Sequence, residues 1–402
     1  MCLDNIREQF EIYKNNPDLV YLDTCATSLK PKCVLDKMEE YYTKYGVNIH
    51  RGVYNLSYVA SNEYDKAREK VANFINSNFN EVIFKRNASE ALNYVALTYG
   101  EQNLKAGDVV LTTELEHHSS VLPWMKLCER KKATLRYVKL NDEGRITVEE
   151  FKKALDNKVK VVAITLVSNV MGYVTPIKEI IKLSHEAGAI VSVDAAQAVA
   201  HFKIDVKDLD CDFLSFSAHK MMGPTGVGVL FGKAKHLKKM MPLEYGGDMN
   251  DEVDKTSVTI KEIPYCFEAG TPAIAEVLGL GEAIDFINSI GFDKIEAHCK
   301  ELHKYALKLL EDVKGITIYN KTSECSIISF NVDGVHPHDA STLFDENNVC
   351  LRAGHHCAQL ITKWLKVNGT LRASLYIYNT KEDVEKFVKI VKENVKFFSQ
   401  FN

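Results

Sequence analysis

The sequence of 402 residues shows no secretory-signal pattern in its first residues, no apolar stretch long enough for a membrane helix and no block of like charge. Its first residues, MCLDNIREQFEIYKNN, have neither the basic start nor the apolar core of a secretory signal. No run approaches the roughly 18 consecutive apolar residues of a membrane span. The 50 basic and 54 acidic residues leave a net charge of -4 and form no basic patch. We therefore expect a cytoplasmic protein that binds neither a membrane nor nucleic acid.

The ten cysteines form neither CxxC pairs nor the combined CxxC and HxxxH spacing of a zinc site. A disulfide framework of this size is also unusual in so long a chain. We expect most of the thiols to be reduced and buried as small apolar groups, with no metal site. A reactive cysteine must therefore be recognised from its neighbours.

Between residues 80 and 235, short apolar runs alternate with helical patterns. The runs are VVLTT (109–113), VVAITLVS (161–168), IVSVDAA (190–196), FLSFSA (213–218) and VGVLFG (227–232). Such near-continuous apolar runs are typical of strands buried on both faces of a mainly parallel sheet. The segment 176–187 starts with proline and is followed by Gly188, as helices often are, so residues 161–193 are predicted to form a βαβ unit.

After about residue 272 the pattern changes to long helices, predicted at 273–290 and 294–313. Shorter strands are predicted at 316–319 and 326–332, and a closing helix at 381–398. We predict a large α/β domain over residues 26–280 and a smaller α+β domain over residues 281–402, which residues 1–25 join.

Lys220 and Asp194 each follow an apolar run, where the ligands of open α/β sheets gather. A lysine amine can form a Schiff base with a carbonyl cofactor. A buried carboxylate needs a partner, and the protonated ring nitrogen of pyridoxal phosphate (PLP) is a suitable one. The separation, 220 − 194 = 26, leaves room for one helical connection and one strand. Alternatively, Lys220 is a surface lysine and Asp194 a helix cap or a member of a structural ion pair.

The segment CLRAGHHCAQ places Arg352, His355, His356 and Cys357 within six residues. A thiol reacts as its thiolate, which nearby cations favour, so Cys357 is the cysteine best placed for nucleophilic chemistry. A metal site is the alternative, but adjacent histidines without a second cysteine pair make a poor structural zinc site.

The run VDAAQ…SFSAHKMMGPTG together with RxGHHC resembles class V aminotransferase enzymes, specifically the cysteine desulfurases of the SufS type (group II). The longer serine-rich cysteine loop of the other major desulfurase subgroup is absent. The resemblance implies an α/β protein with the fold of fold-type I PLP-dependent transferases. Such a protein has a large domain with a mainly parallel seven-stranded sheet and a smaller α+β domain.

The resemblance also implies how PLP is held. Lys220 would carry the cofactor, Asp194 would pair with the ring nitrogen and Gln197 would contact the phenolic oxygen. Ser217 and His219 would bind the phosphate.

Further motifs extend the resemblance along the chain. In ELEHHSSVLPW, His117 would stack on the cofactor ring and move protons, with a core histidine as the alternative; for His118 we expect a core histidine. Asn169, in LVSNVMG, would lie near cofactor and substrate. Thr271, in FEAGTP, would reach the phosphate bound by a partner subunit, which implies a homodimer.

The phosphate-binding segment departs from the family pattern. The family usually has GTTE where this chain has Asn87, Ala88, Ser89 and Glu90. A helix N-terminus still favours an anion, and Ser89 keeps one hydroxyl, whereas Ala88 has lost the other. We expect phosphate binding to survive.

The substrate would be bound by residues from several motifs. Arg372, in RASLYIYNT, matches the arginine that binds the substrate carboxylate through two parallel charge-assisted bonds. Arg352 matches a further active-site arginine that holds the loop or the substrate. His50, in NIHRGVYNLS, is an active-site candidate with a structural role as the alternative, and Tyr54 stands where a second histidine is common.

The implied function is a PLP-dependent cysteine desulfurase that converts L-cysteine to L-alanine. Lys220 would move the α-proton, His117 would protonate intermediates and Cys357 would receive the sulfur as a persulfide. The acceptor would serve iron-sulfur cluster assembly or another thiol pathway. The HPHD segment suggests a small zinc-containing, SufU-like acceptor whose metal His338 engages, with turn capping as the alternative role.

Three alternative functions stay open. A selenocysteine lyase and a cysteine-sulfinate desulfinase share the fold and most of the site. A non-catalytic, PLP-binding scaffold or regulatory subunit belongs to a different class and is suggested by the altered phosphate-binding segment.

Overall fold

Helices and strands alternate along residues 5–400, which the computed structural model describes. The strands are β1 (Val20–Tyr21), β2 (Val82–Lys85), β3 (Val109–Thr113), β4 (Thr134–Val138), β5 (Val159–Thr165), β6 (Ile190–Asp194), β7 (Phe213–Ser217), β8 (Gly228–Gly232), β9 (Asn250–Val253), β10 (Val258–Ile260), β11 (Ile316–Ile318), β12 (Ile327–Val332), β13 (Val349–Cys350), β14 (Arg352–Gly354) and β15 (Thr370–Ser374). The α-helices are α1 (Glu11–Asn15), α2 (Lys32–Lys44), α3 (Asn55–Phe74), α4 (Ala88–Val95), α5 (Glu101–Asn103), α6 (His118–Lys131), α7 (Val148–Ala154), α8 (Ile177–Glu186), α9 (Val206–Leu209), α10 (Ala234–Leu237), α11 (Ile274–Ile290), α12 (Phe292–Leu310), α13 (Pro337–Glu346), α14 (Gln359–Trp364) and α15 (Lys381–Phe398). Within these residues, no helix is both long enough and apolar enough to cross a membrane.

A seven-stranded sheet occupies the first part of the chain, with the strand order β2-β8-β7-β6-β5-β3-β4. Neighbouring strands are parallel except at β8, which runs antiparallel to both β2 and β7. Every residue of β3, β6, β7 and β8 is buried, as expected for strands covered on both faces. The predicted α/β class and the mainly parallel seven-stranded sheet are confirmed.

The predicted βαβ unit is present as β5, α8 and β6. The apolar face of α8 buries Ile177, Ile180 and Ile181 against the sheet. Because β5, β6 and β7 are parallel, their carboxyl ends lie at one edge. Asp194 ends β6 and Lys220 follows the end of β7 by three residues, so the topology brings both to that edge.

A second, antiparallel sheet lies near the C-terminus, with the strand order β11-β12-β15-β14. Its core includes Phe330, Phe344 and Phe387, where α13 and α15 pack against the strands. The N-terminal strand β1 pairs in parallel with β13, next to this sheet.

The domain division stays a prediction. Helix α11 runs without a break across the predicted boundary at residue 280. Residues 1–4 and 401–402, which belong to the predicted segments 1–25 and 281–402, lie outside the described residues.

A buried ion pair holds the FEAGTP segment against β2. The Arg68 guanidinium is fully buried and donates to both carboxylate oxygens of Glu268, at 2.8 and 2.7 Å. Glu268 Oε1 also accepts the backbone N–H of Phe84 at 2.7 Å. Because Glu268 precedes Thr271 by three residues, the pair fixes the position of the segment that was predicted to reach a partner subunit.

Replacing Glu268 by glutamine is expected to lower the free energy of unfolding by about 3 kcal/mol, since it leaves the Arg68 charge buried without a counter-charge. Urea unfolding measures this loss. The matched control is Glu101→Gln, whose ion pairs with Arg130 and Lys131 lie at the surface and together contribute about 1 kcal/mol. Equal losses in the two variants would contradict the prediction.

Candidate active site

A cavity of about 240 Å³ lies at the sheet edge where β5, β6 and β7 end. Its walls include most of the residues predicted from the sequence: Ala88, Ser89, His117, Asn169, Asp194, Gln197, Ser217, His219, Lys220, Arg352, Cys357 and Arg372. Residues far apart in the sequence, from both sheets, therefore meet at one cavity.

The charges of Lys220 and Asp194 interact within this cavity. Burial raises the pKa of Asp194, which is 5% exposed and accepts the backbone N–H of Ala196 at 2.9 Å. Burial lowers the pKa of Lys220, and the Asp194 carboxylate only partly offsets this effect. A lowered pKa increases the neutral fraction of the amine, which is the form that adds to a carbonyl group.

His117 is held as a neutral imidazole with a defined proton position. Its Nδ1 accepts the backbone N–H of Ser119 at 3.1 Å, so the ring proton lies on Nε2. Burial, with the charge of Lys220 as the next cause, lowers the pKa of His117 to about 4. At neutral pH the ring can therefore donate Nε2–H to a group in the cavity.

The first turn of α4 forms one end of the cavity. The backbone N–H of Ala88 donates to Ser217 Oγ at 2.7 Å, which ties the helix to the end of β7. Ser89 and His219 also line the cavity. Burial and the charge of Lys220 lower the pKa of His219 to about 4, so its ring is neutral. Hydroxyls and the amides of a helix N-terminus can bind an anion, even though Ala88 stands where the family usually has a hydroxyl-bearing residue.

Two arginines from neighbouring strands line another wall. Arg352 of β14 and Arg372 of β15 lie directly opposite each other in the register. Asp23 bridges them, with its Oδ2 3.1 Å from Arg352 Nη2 and its Oδ1 3.2 Å from Arg372 Nη2. Arg372 is 2% exposed and also donates from Nη1 to the backbone oxygen of Asn169 at 2.8 Å.

The Cys357 loop connects β14 to α14 and is held by hydrogen bonds from α6 and from the loop after β5. The Cys357 backbone oxygen accepts the N–H of His118 at 2.7 Å, and the His356 backbone oxygen accepts Nδ2–H of Asn169 at 2.8 Å. Both His356 and Cys357 have positive φ angles, 52° and 53°, which non-glycine residues rarely adopt. These contacts stabilise a strained turn that presents Cys357 to the cavity.

The cysteines differ sharply in accessibility. Of the nine within residues 5–400, Cys357 alone is exposed, and the others are buried or half-buried. Burial and the charge of Arg372 lower the pKa of His356 to about 2, so this histidine brings no positive charge to the neighbouring thiol. The sequence suggested that cations lie beside Cys357. His356 is not one of them.

Two further cavity neighbours were not predicted from the sequence. Cys25 lines the cavity and is 5% exposed, and burial raises its pKa, which keeps it a thiol. Glu116 Oε1 accepts from Thr165 N and Thr113 Oγ1, both at 2.9 Å, and so joins the ends of β5 and β3 behind His117. Burial raises the pKa of Glu116 to about 8. Only the position of Glu116 beside His117 could have drawn attention to it.

The prediction that His118 is a core histidine is wrong. The side chain is partly exposed, and its Nε2 accepts the backbone N–H of Gln359 at 3.0 Å. Because Gln359 follows Cys357 by two residues, His118 anchors the far side of the loop.

The variant His118→Ala is expected to speed the hydrogen exchange of the Gln359 amide roughly fivefold, as loss of one neutral hydrogen bond implies. Exchange followed by mass spectrometry over residues 355–362 measures this. His118→Gln keeps an acceptor in the side chain and serves as the control. If both variants exchange at the wild-type rate, His118 is not an anchor of the loop.

Several predicted residues lie outside the cavity. Thr271 is exposed, with its Oγ1 3.4 Å from Nδ2 of Asn48. The His50 ring packs against Tyr64 and Tyr265 instead. Tyr54, the other residue of that motif, precedes α3 and is 49% exposed.

His338 lies in the first turn of α13 and is exposed. A side chain on Gly354 would approach its Nε2 to 3.4 Å, so His338 neighbours the strand that leads into the Cys357 loop. His336, two residues earlier, caps α13 by accepting the N–H of His338 at 3.3 Å. The turn-capping role considered for His338 therefore falls to His336.

Comparison with known sequences identifies the family to which a protein with this fold and this cavity belongs. The profile of the family described as aminotransferase class-V matches residues 20–387, and the chain belongs to this family. Enzymes of the family carry PLP.

Individual relatives and solved structures show which enzymes of the family the chain resembles. A protein of Halalkalibacterium halodurans named "probable cysteine desulfurase" is 48% identical over 385 residues, which cover 96% of this chain and 95% of the relative. The structure of a cysteine desulfurase from Thermococcus onnurineus NA1 superposes with a TM-score of 0.94, at 38% identity and with 98% of both chains covered. A cysteine desulfurase from Escherichia coli gives a TM-score of 0.93, at 34% identity and with 99% of both chains covered.

The residues of the cavity fit PLP. The buried Asp194 carboxylate requires a cationic partner, which a protonated pyridine nitrogen provides. The buried Oδ1 of Asn169 has no hydrogen-bond partner in the described chain. The first turn of α4 offers an anion site at the other end of the cavity.

Proposed function

We propose that this protein is a PLP-dependent cysteine desulfurase of the SufS type (group II), which converts L-cysteine to L-alanine and leaves a persulfide on Cys357. The observation that carries this proposal is one cavity that joins Lys220 and Asp194 with Arg372 and the exposed thiol of Cys357. The similarity to cysteine desulfurases over nearly the whole chain supports it.

Residues on three strand ends would hold the cofactor. Lys220 would hold it covalently, Asp194 would accept the ring N–H and Gln197 would face the phenolic oxygen. Ser217 and His219, with Ser89 and the first turn of α4, would bind the phosphate. When bound, PLP withdraws electrons from the substrate α-carbon and thereby activates the bond between the β-carbon and sulfur.

The chain itself orients the substrate and moves its protons. Arg372 binds the substrate carboxylate through its guanidinium, which the contact with the Asn169 backbone holds in place. Arg352 adds a second cation on the same wall. The amine of Lys220 is the base that moves the α-proton, because burial favours its neutral form.

Cys357 then takes the sulfur. Its thiolate attacks the substrate sulfur, so that a sulfur–sulfur bond forms while the carbon–sulfur bond breaks, and the electron pair of the broken bond stays with the substrate carbon. His117 donates the proton on Nε2 to the reacting substrate. An acceptor thiol attacks the persulfide, takes its outer sulfur and returns Cys357 to the thiol form.

We propose that the sulfur acceptor is a small protein with a zinc site, like SufU. We propose that the pathway it serves is iron-sulfur cluster assembly. Cys357 sits on a short loop, and the exposed His338 lies beside the strand that leads to it, so an acceptor docked over Cys357 can contact both. A reduced, exposed thiol suits a reducing compartment, and on this ground we propose a cytoplasmic location.

A homodimer is proposed from the residues left outside the cavity. Thr271 is exposed on a segment fixed by the Arg68–Glu268 pair, and we propose that it reaches the phosphate in the partner subunit's cavity. His50 is proposed to act across the same interface.

The test is the release of alanine from cysteine, selenocysteine and cysteine sulfinate by the PLP-loaded protein. We expect cysteine to be turned over and the persulfide to pass to an added thiol. Turnover of selenocysteine alone would identify a lyase. Absence of alanine from all three substrates, with PLP bound, would favour the scaffold or regulatory alternative.

A further inference from the structure

The turn that carries Lys220 is held by Ser28, a residue outside the cavity wall. The Ser28 hydroxyl donates to the backbone oxygen of His219 at 3.0 Å and accepts the backbone N–H of Met222 at 2.6 Å. The Ser28 N–H donates to the same His219 oxygen at 2.8 Å. Ser28 is 1% exposed and does not line the cavity. One buried side chain therefore bonds to the backbone on both sides of Lys220.

The turn is short and strained, so its position depends on contacts from outside. Residues Ala218–Lys220 form a single 3₁₀ turn, and Met222 has a φ angle of 65°, which non-glycine residues rarely adopt. A longer 3₁₀ helix would next bond the N–H of Met222 to the oxygen of His219. The Ser28 hydroxyl stands between these two groups instead and bonds to both. It thereby closes the turn that presents Lys220.

The segment that contains Ser28 is fixed at its other end to the strand of Arg372. Ser374 follows Arg372 by two residues on β15 and donates its N–H to the backbone oxygen of Leu22 at 2.8 Å. The Ser374 hydroxyl accepts the N–H of Cys25 at 3.0 Å. Residues 22–28, which we call the spacer, thus join the strand of Arg372 to the turn of the active-site lysine.

Under the proposed function, the two ends of the spacer act on neighbouring groups of one substrate molecule. Arg372 binds the carboxylate, and the Lys220 amine moves the proton of the α-carbon to which that carboxylate is attached. A base must lie within hydrogen-bond reach of the proton it moves, and a displacement of about 1 Å can slow a reaction roughly a hundredfold. Because a lysine side chain is a flexible stem, its amine is well placed only if its backbone is fixed.

We infer that Ser28 is a positioning residue that fixes the backbone of Lys220 relative to Arg372, so that the amine reaches the α-proton of a substrate whose carboxylate is bound. Ser28 acts through the backbone of the turn and touches no reacting atom. The inference rests on the proposed function, within which it adds a residue that the proton transfer depends on.

The test follows the exchange of the α-proton of L-alanine for solvent deuterium in the PLP-loaded protein by proton NMR. Lys220 takes the α-proton, exchanges it with the solvent and returns deuterium to the same carbon, so that one carbon–hydrogen bond becomes a carbon–deuterium bond and alanine is otherwise unchanged. For Ser28→Ala we expect the maximal exchange rate to fall roughly tenfold. The alanine concentration at half-maximal rate is expected to stay within about twofold, because Arg372 keeps its contacts.

The matched control is Ser184→Ala. Ser184 is also fully buried, and its hydroxyl donates to the backbone oxygen of Ile180 at 2.6 Å, but it lies on α8 and does not line the cavity. This variant is expected to leave both quantities unchanged. A wild-type exchange rate in Ser28→Ala, or an equal fall in the two variants, overturns the inference.

A conservative variant covers the case in which Ser28→Ala does not fold. Ser28→Cys keeps the shape of the side chain, but a thiol is a weak donor and a weak acceptor. The maximal rate of alanine exchange is therefore expected to fall roughly threefold, less than in Ser28→Ala. A wild-type rate in Ser28→Cys contradicts the inference.

Amide hydrogen exchange examines the turn without any reaction. Thr27 Oγ1 also donates to the His219 oxygen at 3.0 Å, whereas within the described chain the Met222 N–H has the Ser28 hydroxyl as its acceptor. In the PLP-loaded Ser28→Ala protein we expect the Met222 amide to exchange roughly fivefold faster than in the wild type, measured by mass spectrometry of residues 219–224. An unchanged rate at this amide also overturns the inference.

The outcomes separate this inference from the proposed function. If the wild type exchanges the α-proton of alanine but forms no alanine from cysteine, the proposed function fails, and Ser28→Ala still decides the role of Ser28. If the wild type forms alanine from cysteine while Ser28→Ala exchanges alanine at the wild-type rate, the role of Ser28 alone fails.

Discussion

Replacement of Cys357 by alanine is expected to reduce alanine formation from cysteine by roughly a thousandfold or more, the scale of loss when a covalent nucleophile is removed. The thiol is exposed and sits on a strained loop held by Asn169 and His118, and the other cysteine on the cavity wall, Cys25, is buried with a raised pKa. Cys25 is therefore not expected to replace it.

The control for this variant is Cys33→Ala. Cys33 lies on α2, outside the cavity, and its loss is expected to leave the rate unchanged. The visible absorbance of bound PLP should stay in Cys357→Ala, because Cys357 is assigned no contact that holds the cofactor. Alanine release by Cys357→Ala at the wild-type rate would refute the assignment of this residue.

Replacement of Lys220 by alanine is expected to have an effect of the same size, roughly a thousandfold or more on alanine formation, for two reasons. The variant loses the amine that holds the cofactor, and it loses the base that moves the α-proton. Burial lowers the pKa of this amine, and no other lysine lines the cavity among the described residues.

The two losses in Lys220→Ala can be separated. The absorbance of the covalently held cofactor should disappear, which distinguishes the variant from Cys357→Ala. Lys220→Arg is the matched control: it keeps a long basic side chain, but a guanidinium stays protonated and does not supply a neutral amine. It is expected to be as inactive as the alanine variant. Partial recovery of Lys220→Ala by added ethylamine would support the base role. Substantial alanine release by Lys220→Arg would contradict it.

The larger sheet could be predicted from the sequence because its signal is local. The runs that became β3, β5, β6, β7 and β8 are almost wholly apolar, since both faces of these strands are buried. The strand ends then indicated the position of Asp194 and Lys220. These two residues meet because consecutive parallel strands place their carboxyl ends together.

The contacts that hold the side chains of the site in place could not be predicted in the same way, because they join residues that are far apart in the sequence. Asp23 reaches Arg372 across 349 residues of sequence, through β1, a strand only two residues long. His118 seemed a core residue because its partner, the Gln359 amide, is 241 residues away and belongs to the backbone. No side-chain pattern in the sequence marks contacts of this kind.

The resemblance to a known family supplied what local patterns could not, namely the roles of Gln197, Ser217 and Thr271. The structure brings the first two to the cavity and leaves Thr271 on the surface of its own chain. The role of Thr271 therefore stays a prediction that depends on a second copy of the chain.

The most direct test of the central claim is mass spectrometry of the PLP-loaded protein after brief incubation with cysteine and no acceptor thiol. We predict a gain of one sulfur atom that peptide mapping places on Cys357, and no such gain in Lys220→Ala. Sulfur found on another cysteine, or alanine released with no sulfur on Cys357 at any time, would contradict the account.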